Sequence, residues 1–185
     1  VQTCALPIWD FSGKASANRP FIPFRSVNRK QAPGYDPTLQ RHHLLPRQLL
    51  SQRCFRLMFA MIDVKRLAFD DFRANGLLLP ATEERAMHLA MPLHRGPHRA
   101  YNSMVIERVG RIEHRWSRAR EIDSQAALEE ALFRLELLQC ALRTRLLAER
   151  RRLVLNRKDP VGTGFDFSEL DAMARSEEHT SELQS

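Results

Sequence analysis

Long apolar runs are missing from this chain. None approaches the roughly 18 residues that a bilayer-spanning helix requires, so a transmembrane helix is excluded. Cysteine is scarce, at three in 185 residues. Cys4 lies in the N-terminal tail, and Cys54 and Cys140 form no Cys-x-x-Cys pair. That argues against a zinc ribbon and against a disulfide framework. Both are expected to pack as small apolar residues, which fits a reducing compartment. Lysine is also rare, confined to Lys14, Lys30, Lys65 and Lys158. The N-terminus lacks a basic stretch followed by an apolar one, so no signal peptide is visible. No internal repeat is visible either.

What is present is an ordinary globular balance, 43% hydrophobic and 28% charged. The length suits one domain, or one domain with a helical appendage. A chain of this size buries about two-thirds of its unfolded surface and needs no metal or disulfide to fold. The net charge is +7, with 29 Lys and Arg against 22 Asp and Glu. Arginine supplies nearly all of the positive charge, and its planar fork matches phosphate oxygens. This balance favours a polyanion such as nucleic acid over an acidic metabolite.

Residues 1–8 and 175–185 both resemble translated sequencing-adapter DNA. They are expected to be non-native and are left out of the fold reasoning, with Cys4 and His179. Residues 9–34 are rich in proline and glycine and read as an extended arm, with a short strand expected near Phe21–Phe24. Residues 47–62 carry Leu49, Leu50, Phe55, Leu57, Met58 and Met61 at helical spacings and predict one helix. Asn75-Gly76 predicts a turn, and Leu77-Leu78-Leu79 before Pro80 a short buried strand. Thr82 with Glu83 and Glu84 predicts a capped helix that runs to about Ala90. Pro97 suits the first turn of a helix bearing Tyr101, Met104, Val105, Val109, Ile112 and Trp116. Ser124 is the expected cap of a last helix, with Leu128, Leu132, Leu135, Leu138, Leu142 and Leu146 on one face. Its other face is basic: Arg134, Arg143, Arg145 and Arg150 to Arg152. The leucine stripe reads as intramolecular core in preference to a dimer seam. The fold class is α+β, mostly helical, with a small β element.

Chemistry-bearing residues concentrate in three short segments. In Arg41-His42-His43-Leu44-Leu45-Pro46, a strand would point the two imidazoles to opposite faces. One could then hold a metal while the other faces substrate. Asn75-Gly76 places a polar residue just before an apolar strand. His94-Arg95-Gly96-Pro97-His98 puts two histidines at the start of a helix, where anions are favoured, as a metal-phosphate site requires. Each segment alone more often marks surface or structure; the ordered set within 60 residues carries the weight. His88 reads as a surface or packing residue, His114 as solvated, and Asp70-Asp71 as a loop or cap.

These segments, RHHLLP, NGLLLP and LHRGPHRAYN, resemble the three blocks of the AHH nucleases of the HNH/endonuclease VII, or His-Me finger, superfamily. The resemblance covers residues 35–110. Arg41 stands where that family has the alanine of its name, a position without a catalytic role. The resemblance implies a ββα-metal core over residues 35–122, followed by a C-terminal helical extension over 123–174. By analogy with the family's paired histidines, His43 is the expected general base and His42 a metal ligand. His98 is the helix-borne ligand, and His94 is either a third ligand or a phosphate contact. Asn75 is expected to hold the loop and orient the base, a direct ligand role being the weaker alternative. Arg41, Arg95 and Arg99 are candidates for phosphate contact.

The implied activity is metal-dependent hydrolysis of phosphodiester bonds, with DNA favoured over RNA. One divalent cation is expected, Mg, Mn, Zn or Ni. The alternative is a non-catalytic nucleic-acid-binding protein with a degenerate fold of the same kind. The family often forms toxin modules in secreted bacterial proteins, so the expected location is cytoplasmic or secreted. An immunity protein enters as a partner only if the domain is a toxin; no membrane is expected, and a homodimer is not favoured.

Overall fold

The computed structural model describes residues 20–148, 153–156 and 159–160. The suspected adapter segments, the basic run Arg150–Arg152 and the region around Phe165 and Phe167 lie outside the described residues. The fold is α+β. Its small sheet pairs β1 (Leu39–His43) antiparallel with β2 (Gly76–Pro80), in a register that sets His42 against Leu77 and His43 against Gly76. The connection carries three short helices, α1 (Gln48–Ser51), α2 (Arg56–Ile62) and α3 (Phe72–Asn75). After β2 come α4 (Glu83–Leu89), α5 (Arg99–Ala119) and α6 (Ser124–Leu147). No described helix is long and apolar enough to cross a membrane.

Each element has a local cause. Asp71 caps α3 by accepting from the Arg73 amide, and Thr82 caps α4 by accepting from the Arg85 amide. Gly76 cannot bear a side chain, because a Cβ there would lie 2.6 Å from the Phe72 carbonyl oxygen. This close approach, rather than an unusual backbone angle, is what the Asn-Gly pair serves. The expected cap of α6 shifts by one residue. Asp123, not Ser124, accepts from the amides of Gln125 and Ala126, each at 3.0 Å. A carboxylate one position earlier reaches the same donors and complements the helix dipole better than a hydroxyl.

Three further expectations change. The helix expected over 47–62 is interrupted at Gln52, whose extended backbone ends α1 before a 3-10 turn leads into α2. The buried residues there are Leu49, Phe55, Met58, Phe59 and Ile62, whereas Leu57 and Met61 face solvent, so no single stripe spans the segment. The strand expected near Phe21–Phe24 is one bridge between Pro23 and Asp71, followed by a 3-10 turn over Phe24–Ser26. Cys54 is exposed rather than packed.

The core lies where α2, α5 and α6 meet the sheet. Leu128, Leu132, Leu135, Leu138, Leu142 and Leu146 are all buried in it, so the leucine stripe serves this chain's own core. At about 25 cal/mol per Å² of buried apolar surface, such residues supply most of the driving force for folding. α6 also reaches the connection before β2. Arg143 donates to the carbonyls of Arg73 and Ala74 at the end of α3, and half-burial there pulls its pKa down.

Candidate active site

β1 sets the site, because strand alternation sends its neighbouring histidines in opposite directions. The His42 ring is buried against His94, His98 and Tyr101, with ring centres 5.0, 5.2 and 5.0 Å away. His43 faces the other side and lies flat on Phe24, at 3.7 Å with the planes 1° apart. Tyr101 couples strand to helix: rising from the first turn of α5, it packs beneath His42 and donates to the Leu44 carbonyl at 2.7 Å. The hydroxyl is fully buried, which pushes its pKa up and keeps it a donor.

His94, His98 and His42 each offer a ring nitrogen, and these atoms lie within 4.8 Å of one another. Among the described residues this is the one cluster of three or more His, Cys, Asp or Glu side chains arranged so. His94 is not helical; it sits in the loop before α5, and its amide donates to the Pro80 carbonyl of β2 at 2.7 Å. His98 is the N-cap of α5, with Gly96 turning at φ +75° just before it. The helix therefore starts at Arg99, two residues beyond Pro97. Gly96-Pro97 prevents a helical pairing of the two histidines, and the loop folds them together instead.

The cluster fits a cation. Both ring nitrogens of His42 and Nδ1 of His98 are buried without a hydrogen-bond partner, and a bound ion would satisfy one nitrogen of each ring. Gln40, on the same face of β1 as His42, was not singled out from the sequence. Its Oε1 lies 3.1 Å from His94 Nδ1. An amide oxygen only accepts, so Nδ1 carries the proton and Nε2 keeps its lone pair for coordination. Nothing in the sequence marks Gln40 beyond its alternation with His42.

Burial drives the electrostatics. It lowers the pKa of all four site histidines, with His42 well below its usual value and His94 at about 4; neighbouring imidazoles add to both shifts. His43 is also pulled to about 4, by burial first and then by the charge of Arg47. Each depressed histidine stays neutral when the unfolded chain, titrating near 6.5, would charge. As pH falls below about 6.5, the unfolded state therefore binds protons first and stability is lost. Metal-free protein is expected to lose up to about 1.4 kcal/mol per pH unit for His94 between about pH 6.5 and 4, less for the half-exposed His43, with His42 and His98 acting in the same direction. Urea midpoints of chelator-treated protein at pH 7.5, 6 and 5 measure this; a flat series would contradict it.

Asn75 is fully buried and stands apart from the cluster. Its Oδ1 accepts from the Leu45 amide at 2.7 Å, and its Nδ2 donates to the carbonyls of Leu45 and Phe69. Both sides of the amide are used on backbone, and neither atom joins the three-histidine cluster. Arg41 is exposed and shares a face of β1 with His43; its Nη1 donates to the Phe24 carbonyl at 2.7 Å. Phe24 is thus tied by its ring, its carbonyl and its amide, which donates to Asp70. Sequence reasoning left it in the arm. Arg95 and Arg99 are exposed beside the cluster. His88 and His114 are exposed and are not part of it, and Asp71 serves as a cap.

A family model describing a nuclease family of the HNH/ENDO VII superfamily with conserved AHH matches residues 23–139. The chain belongs to the AHH nuclease family. Its substrate is therefore nucleic acid. The AHH match begins next to Phe24 and takes in both strands, the three-histidine cluster and most of α6. Comparison with curated proteins and with solved structures returns no match.

Proposed function

We propose that this AHH nuclease is a metal-dependent endonuclease, with DNA as its preferred substrate. His42, His94 and His98 hold one divalent cation, and His43 takes the proton from the attacking water. The observation that carries this reading is the convergence of three imidazoles, of which His42 and His98 bury ring nitrogens without a hydrogen-bond partner among the described residues. When bound, a divalent cation offsets charge on the scissile phosphate and on the departing 3′ oxygen. Three imidazoles suit zinc or nickel better than the oxygen-seeking magnesium or manganese.

The chain's own groups do the rest. His43 is unprotonated at neutral pH, and its Nε2 has no hydrogen-bond partner. A phosphodiester against it opposes the shift caused by burial and Arg47, bringing the ring towards the range useful for a base. Phe24 stacked on the ring limits its rotation. Asn75 fixes Leu45, two residues beyond the base. Arg41, Arg95 and Arg99 meet the phosphate backbone around the cut.

Plasmid nicking tests the reading. Chelator-treated protein should be inactive, and one of Mg, Mn, Zn or Ni should restore cleavage. A chain that binds the plasmid yet cuts it with none of these would be the non-catalytic alternative. The ligand set has its own test. His98→Ala is expected to weaken zinc binding by at least about 100-fold, since even groups that only orient ligands are worth 10- to 100-fold. Calorimetry that finds unchanged affinity would remove His98 from the site.

A further inference from the structure

The described residues after α6 turn back onto the loop that carries His94. Leu153, Val154 and Leu155 are buried, and the Leu153 amide donates to the Arg145 carbonyl at 3.1 Å, so this stretch is seated in the core. From it, Asn156 Nδ2 donates to the carbonyl of Arg95. Asp159 Oδ2 accepts from the amide of Leu93 at 3.0 Å, and the Asp159 amide donates to the Asn156 carbonyl at 3.0 Å. Together with the His94 amide on Pro80, three consecutive residues of the loop are tied, Leu93 and Arg95 by this segment and His94 by β2.

Such ties matter because the loop has no regular structure of its own. It runs from Ala90, in a left-handed conformation, to Gly96 at φ +75°. A ligand on an untied loop loses conformational freedom when it coordinates, and that loss weakens binding. A ligand held in place beforehand has less to lose. The family match ends at residue 139, so this clamp comes from outside it.

We propose that Asn156 and Asp159 are positioning residues of the metal site, holding the His94 loop from both sides of that ligand. The inference rests on the three-histidine reading of the site. Asp159→Ala and Asn156→Ala, made in the full chain, should each weaken zinc binding about 10-fold. Asp159→Asn should stay near wild type, because its amide oxygen still accepts from Leu93. In metal-free protein, hydrogen exchange at the Leu93 amide should accelerate in Asp159→Ala and remain slow in Asp159→Asn. The Leu44 amide, bonded to Asn75, should not change. Variants that lose thermal stability but bind zinc like the wild type, or an unchanged Leu93 exchange rate, would overturn the proposal. A wild type that binds no zinc, nickel or manganese would instead overturn the site reading on which it rests.

Discussion

His43→Ala is expected to cut cleavage by about 100- to 10,000-fold, the usual contribution of a positioned general base. Metal affinity should barely move. His43 lies on the opposite face of β1 from the three-histidine cluster and stacks on Phe24, so its removal takes no ligand away. DNA affinity should also hold, since the arginines are untouched. Some stability is lost, because Phe24 then faces a gap where an imidazole had been. The two measurements are single-turnover cleavage at saturating protein and calorimetric zinc binding on the same preparation. A variant that cuts at the wild-type rate would eliminate His43 as the base. A variant that loses zinc instead would place it among the ligands.

Asn75→Leu should produce the largest loss of stability, about 3–5 kcal/mol. The substitution takes the Asn75 partner from the Leu45 amide and from the carbonyls of Leu45 and Phe69 in the buried interior. Each orphaned group costs about 1–3 kcal/mol. Against a total of about 5–15 kcal/mol for a domain, that decides whether the chain stays folded at 37 °C. Asn75→Asp should be no rescue, because a carboxylate supplies no donor for the two carbonyls and brings a charge into a buried place. Urea unfolding, compared at equal slope, measures the loss. A change below about 1 kcal/mol would mean that Asn75 is not the hub joining β1 to the end of α3.

Much of the site was legible because its signals are local. Adjacent histidines in a strand must diverge, and His42 and His43 do. Gly96-Pro97 forbids a continuous helix between His94 and His98, and the helix starts only at Arg99. Leu77-Leu78-Leu79 and Thr82 announced a strand and a helix start, and both elements formed; in place of the turn expected at Asn75-Gly76, α3 ends at Asn75 and β2 begins at Gly76. Where local signals competed, expectation slipped by short distances: Asp123 displaced Ser124 as a cap, and Gln52 split a helix whose spacing was mixed.

Other contributors left no such trace. Gln40 acts on His94 across 54 residues of sequence, Asp159 on Leu93 across 66, and Arg143 on Arg73 across 70. No period or cap signature reports a hydrogen bond of that span. Phe24 looked like one aromatic among several in a proline-rich stretch, and only its stacking on His43 gives it a place in the site.

The sequence alone determined which side chains this protein can bring to a reaction and in which local conformations they stand, because backbone sterics act over a few residues. It implied that the imidazoles would diverge if they lay in a strand, and that Gly96-Pro97 would break the chain before a helix. Tertiary structure decided which of them meet. Three nitrogens come within 4.8 Å where Tyr101 ties α5 to the end of β1 and Pro80 takes the His94 amide. Those contacts depend on how a whole core packs, and packing is a property of the entire chain rather than of any window along it.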